Sequence, residues 1–150
     1  MTTAGAVMHD DVAHIGVRDT LDTAAQQMRQ RGVGALPICD GEGHAVGIVT
    51  DRDIVVKCLA QGHNPATATA GEYAQGDELH TVESDADISD AVAVMEQYQV
   101  RRLPVTEHGR LVGIITEADL ARSLPEKAVG EFVEAICEQK LPAQTEPSTP

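Results

Sequence analysis

The stretches "GIVTDRDIV" at residues 47–55 and "GIITEADLA" at residues 113–121 decide how this chain is read. Each places a glycine and two β-branched residues before a threonine, and an aspartate three positions after it. An apolar β-branched run suits a strand, and a threonine or acidic residue ahead of a new apolar run suits a helix start. The expected local structure is therefore a strand-to-helix junction, occurring twice.

Working outward, the similarity extends on both sides. "LDTAAQQMRQRGVGALPICD" at 21–40 aligns with "ISDAVAVMEQYQVRRLPVTE" at 88–107, pairing Leu21 with Ile88, Ala24 with Ala91 and Met28 with Met95. One residue is dropped in the next turn, and "AVGIVTDRDIV" then falls on "LVGIITEADLA". A repeat of this kind sets the architecture before any single element does. Its copies run over residues 4–66 and 70–124.

Each copy has the same organisation. Leu21, Ala24, Ala25 and Met28 stand at i, i+3, i+4 and i+7, a helical stripe that Ile88, Ala91, Val92 and Met95 repeat. Asp19 or Thr20 suits the cap of the first of these helices. Two short apolar runs around a polar turn then predict a hairpin. Pro37 and Pro104 lack an amide donor, so those strands are expected at an edge or beside a bulge. After Thr50 a second helix is expected, with Ile54, Val55, Cys58 and Leu59 on one face and Gly62 past its end. The fold class is α+β, with the order β-α-β-β-α occurring twice.

Three segments lie outside that order. "GHNPATATAGE" is a linker leading into Thr69-x-x-Glu72, a capping-box pattern for a short helix. Residues 126–140 predict an extra C-terminal helix with Val129, Phe132, Val133 and Ile136 on one side, packing on the domain or on a partner. Residues 141–150, "LPAQTEPSTP", have three prolines and no periodicity, the composition of a disordered tail.

Composition narrows the function. Eleven basic against 24 acidic residues give a formal charge of −13, a field that repels nucleic acids and anionic membranes. Phe132, Tyr73 and Tyr98 are the only aromatic residues, too few for base-stacking platforms. Neither an apolar run of membrane-spanning length nor a signal segment is apparent, so a soluble cytoplasmic protein is expected. Cys39, Cys58 and Cys137 form no CxxC pair. They are read as reduced, small buried hydrophobes, with an intermolecular or redox-sensing disulfide through Cys39 or Cys137 as the alternative.

The T-x-x-D motif has two readings. As capping, the threonine hydroxyl accepts from the N3 amide while the acidic N3 side chain meets the positive helix end. As a site, free amides and a hydroxyl suit phosphate oxygens, and the carboxylate accepts two bonds from vicinal ribose hydroxyls. Both use the same geometry and both stay open. Asp51 and Asp53 point in different directions at a helix start, which argues against a catalytic carboxylate pair. The six histidines are scattered, and no zinc-ligand spacing, P-loop or nucleophile elbow is present. No enzymatic activity, metal or cofactor is expected.

The paired segments "LPICDGEGHAVGIVTDRDI" and "LPVTEHGRLVGIITEADL" resemble tandem CBS domains, or a Bateman module. The chain through "ARSLPEKAVGEFVEAIC" is also similar to the actinobacterial hypoxic response proteins. The resemblance implies two CBS folds packed about a pseudo-twofold axis, clefts for AMP, ADP, ATP or S-adenosylmethionine, and a homodimer. Carried over by position, Asp53 and Asp119 match the ribose-binding aspartate, and Thr50 and Thr116 the phosphate-contacting hydroxyl. Ile48 and Ile114 help enclose the base, while Arg52, Arg101 and Arg102 are the candidate phosphate cations. The implied function is a stand-alone regulatory sensor acting through dimer or partner contacts. The alternative is a ligand-independent stress-response scaffold with vestigial or self-filled clefts.

Overall fold

The computed structural model describes residues 1–74 and 79–138. Residues 139–150, including the expected tail, lie outside the described part. The chain divides into two compact units, one of Asp11–Leu79 with Thr106–Leu111, the other of Met1–Asp10, His80–Val105 and the segment from Val112 onward.

The unit built on the first repeat contains β1 (Ile15–Gly16), β2 (Ala35–Cys39) and β3 (Ala45–Thr50) in the order β1-β2-β3. β1 runs parallel to β2, and β2 antiparallel to β3. Helix α2 (Leu21–Arg31), a π-helix (Asp53–Leu59) and α3 (Ala70–Ala74) complete it. The unit built on the second repeat has α1 (Ala4–Val7), α4 (Ile88–Tyr98), α5 (Glu117–Ser123) and α6 (Glu126–Glu138). Its sheet orders β4 (Val82–Glu83), β5 (Arg102–Glu107) and β6 (Arg110–Thr116). The α+β class and the repeated order are as expected.

One helical stripe and one hairpin supply most of each core. In the first unit Leu21, Ala24 and Met28 of α2 meet Ile15, Leu36, Ile38 and Val49 of the sheet. In the second, Ile88, Ala91 and Met95 of α4 meet Leu103, Val105 and Ile115. Phe132 and Ile136 of α6 are buried in that same core, so the C-terminal helix packs on its own unit while Val133 faces outward. Burial at this scale contributes about 1.5–3 kcal/mol for each large side chain.

Several expectations are corrected. Ala25 lies on the exposed side of α2. Thr20 is the N-cap residue of α2 but makes no capping bond, and Asp19 accepts instead from the Gly16 amide at 2.8 Å. Pro37 sits in a central strand, and of its two expected settings, edge or bulge, it has the bulge. The strand tolerates it because β1 pairs only with Ile38 and Cys39, and the β2–β3 register shifts between those two residues. Of the four residues expected on one face after Thr50, only Ile54 and Cys58 are buried, while Val55 and Leu59 are exposed. The cause is the wider helical turn, with Ala60 and His63 amides reaching back five residues to the Val55 and Cys58 carbonyls.

The two hairpin turns differ for a local reason. His108 and Gly109 both have positive φ, the requirement of a two-residue turn twisted like its strands. The longer first turn is closed by Asp40, whose carboxylate accepts from the Glu42 and His44 amides, each at 2.9 Å. Those bonds, led by that from the His44 amide, hold its carboxyl below the usual carboxylate range.

The short helices α1 and α3 each complete the other repeat's unit along the chain. Ala4 and Gly5 donate to the carbonyls of Ala86 and Ser84, as Ala70 and Gly71 do to those of Asp19 and Val17. A Cβ on Gly71 would stand 2.8 Å from the Val17 carbonyl oxygen, and one on Gly5 3.1 Å from that of Ser84. The approach therefore depends on glycine at Gly71 and is tight at Gly5. The expected capping of α3 is present in its reach-back half, with Glu72 accepting from the Thr69 amide at 2.8 Å.

Candidate functional site

The glycine that opens each motif is explained by what crosses it. A Cβ on Gly47 would lie 2.7 Å from the Cβ of Ala74, and one on Gly113 would lie 2.7 Å from the His9 carbonyl oxygen. The segment after α1 is thereby laid directly on β6, where His9 and Ile114 exchange backbone bonds of 2.9 and 3.0 Å.

At the first junction Thr50 and Asp53 cap reciprocally. The Asp53 amide donates to the Thr50 hydroxyl at 3.1 Å, and the Thr50 amide donates to Asp53 Oδ2 at 3.0 Å. Asp53 Oδ1 faces Lys57 Nζ at 3.3 Å, one helical turn on. The Asp53 side chain is 19 % exposed. Asp51 is exposed, and the Arg52 guanidinium, also exposed, has no carboxylate at ion-pair distance among the described residues. Ile48 is half-buried and pairs with Pro37.

At the second junction the same box closes more tightly. Asp119 Oδ2 accepts from the Thr116 amide at 2.8 Å and its hydroxyl at 3.1 Å, and the Asp119 amide donates back at 3.3 Å. Asp119 Oδ1 meets His9 Nε2 and an Arg122 guanidinium nitrogen, both at 2.6 Å. The Asp119 side chain is 2 % exposed. Ile114 is half-buried beside the His9 segment.

The candidate cations separate. Arg101 is held by Glu117 at 2.6 Å, so its charge is already offset. The first copy has Gly34 and Asp51 at those positions, and a Cβ on Gly34 would stand 2.9 Å from an Asp51 carboxylate oxygen. Arg102 is half-buried in β5. Sequence reasoning did not single out Lys57, Arg122 or His9. The first two were legible as helical i+4 and i+3 partners of the aspartates. His9 was not, since only Gly113's closeness to the chain brings it to Asp119.

Cys39 and Cys58 are buried and Cys137 is exposed. Burial, and then the neighbouring Asp40 charge, push the Cys39 thiol above its ordinary value. His14 is exposed just before β1. Among the described residues, no three His, Cys, Asp or Glu side chains converge as a metal site, and no helix is long and apolar enough to cross a membrane.

With this geometry in place, the CBS domain model matches residues 4–59 and 72–126, one match per repeat. The chain belongs to the CBS-domain family. It is 53 % identical over 137 residues to hypoxic response protein 1 of Mycobacterium tuberculosis, covering 91 % of this chain and 95 % of that one. The crystal structure of a Hypoxic Response Protein I with two coordinated zinc ions matches with a TM-score of 0.77 at 52 % identity. It covers 83 % of this chain and all of that one. The CBS domain pair of protein MJ0100, in complex with 5′-methylthioadenosine and S-adenosyl-L-methionine, matches with a TM-score of 0.68 at 26 % identity. It covers 82 % of this chain and 95 % of that one. This is a tandem CBS protein related to the hypoxic response proteins.

Proposed function

We propose that this CBS pair is a non-catalytic sensor that binds an adenosyl ligand through a T-x-x-D junction and signals through a homodimer or a protein partner. The observation that carries the reading is the Thr50–Asp53 junction. Asp53 spends one oxygen on its cap, has the other 3.3 Å from a half-exposed Lys57, and is preceded in sequence by the exposed Arg52. A carboxylate offers about four acceptor positions, so the two on Oδ1 are open to vicinal hydroxyls once Lys57 turns away. Adenosyl ligands bound to a related CBS pair support the ligand class. Val55, Val56 and Leu59 leave an apolar strip on the π-helix, which suits contact between copies. Light scattering is expected to give twice the chain mass, and a monomeric mass would remove dimer signalling from the proposal.

The ligand test is a thermal-shift panel of AMP, ADP, ATP, S-adenosylmethionine and 5′-methylthioadenosine. Ligand at a hundred times its Kd stabilises the native state by about 2.7 kcal/mol. For a chain of this length that raises Tm by roughly 5–11 °C. Asp53→Ala should abolish the shift. If the whole panel leaves Tm unmoved and calorimetry detects no heat, the sensor reading fails. A second reading, a ligand-independent scaffold, draws on Asp119, whose acceptor positions are all taken by this chain's own groups. It predicts that same silent panel with a stable assembly.

A further inference from the structure

Among the titratable clusters of the molecule, the one around Asp119 joins the most distant parts of a unit. His9 comes from the segment after α1, Arg122 from within α5, and Thr116 from the end of β6. Asp119 Oδ1 takes two contacts of 2.6 Å and Oδ2 takes two more of 2.8 and 3.1 Å. That equals the full acceptor capacity of a carboxylate. The covering groups remain in water at their outer sides, His9 being 55 % and Arg122 63 % exposed, while the carboxylate beneath them is 2 % exposed. Neutral and protonated imidazole can each donate from Nε2, so the cover persists in either state.

We infer that His9, together with Arg122, is an internal stopper on the second junction. The two repeats therefore divide their roles, with Asp53 serving the ligand and Asp119 serving as a structural anchor. The inference rests on the adenosyl-ligand reading of Thr50 and Asp53. Three features converge on it. Gly113 lets the His9 backbone lie on β6, and the paired His9–Ile114 bonds fix the position from which the imidazole reaches Asp119. The first copy has Val56 at the position of Arg122, and Lys57, a residue further on, stands 3.3 Å from Asp53. Arg101, the second copy's candidate phosphate cation, is tied to Glu117, whereas Arg52 has no such partner among the described residues. A ribose at Asp119 must displace two short charge-assisted contacts, and one at Asp53 only a longer contact to an exposed lysine.

Calorimetric titration of the full chain with AMP and, separately, S-adenosylmethionine tests this. The expected result is one ligand per chain, lost in Asp53→Ala, and a second binding event in the His9→Ala/Arg122→Ala double variant whose circular dichroism remains native. Two equivalent sites in the wild-type protein, or one site that survives Asp53→Ala, overturns the inference while leaving the sensor reading intact. A folded double variant still binding one ligand also overturns it. If the wild-type protein binds neither probe, both the sensor reading and this inference fall. The wild-type stoichiometry and the Asp53→Ala result decide the matter even where the double variant does not fold.

Discussion

Removing one carboxylate from each repeat should cost very different amounts of stability, although the sequence gives both aspartates the same place in the motif. Asp119→Ala takes the acceptor from the Thr116 amide at 2.8 Å and leaves a small void at a site 2 % exposed. Loss of such a cap costs about 1–2 kcal/mol. The contacts to His9 and Arg122 add up to about 1 kcal/mol each, because both freed heads reach water. The sum is about 2–4 kcal/mol, or a fall in Tm of roughly 4–16 °C for a chain of this size. Asp53→Ala loses a 3.0 Å cap and a 3.3 Å contact to an exposed lysine, worth about 1 kcal/mol and roughly 2–4 °C. Urea unfolding followed by circular dichroism measures both, with the m-value checked for constancy. His9→Ala combined with Asp119→Ala should show a coupling of about 0.5–1 kcal/mol. Equal losses for the two aspartates, or a larger one for Asp53, would refute the assignment of Asp119 as the anchor.

Further outcomes follow from the close approaches at glycine and from the setting of Tyr73. Gly113→Ala places a methyl 2.7 Å from the His9 carbonyl and against the Met8 sulfur, and should cost about 1–3 kcal/mol in the same denaturation assay. Gly41→Ala, whose added methyl meets nothing within 4 Å, should stay close to wild type. Tyr73 should titrate late in an ultraviolet phenolate titration, because burial, then the hydrogen bond and charge of Cys58, push its hydroxyl up to about 12. A raised folded-state pKa favours the protonated native form. Its contribution is complete below the ordinary value near 10.0 and is lost as pH rises from there through about 12. A Tyr73→Phe variant should lose that late-titrating absorbance, and its retention would assign the transition elsewhere.

Much of this protein was legible along the chain because its information is periodic and local. The i, i+3, i+4, i+7 stripes named Leu21, Ala24 and Met28, and again Ile88, Ala91 and Met95, as core, since helical spacing alone puts them on one face. The doubled T-x-x-D named two capping boxes, since a threonine hydroxyl and an N3 carboxylate meet whenever a helix starts between them. The same local rule misplaced Val55 and Leu59, because it assumes an α-helical turn and the Asp53–Leu59 segment winds wider. Tertiary structure alone decided that residues 1–10 join the second repeat's unit. It also decided that the glycines of the two motifs are needed for crossing segments, and that His9 closes on Asp119 across more than a hundred residues. Sequence spacing carries what a helix or strand does to its own neighbours. Which of two T-x-x-D motifs has its carboxylate buried depends on what another part of the chain lays over it.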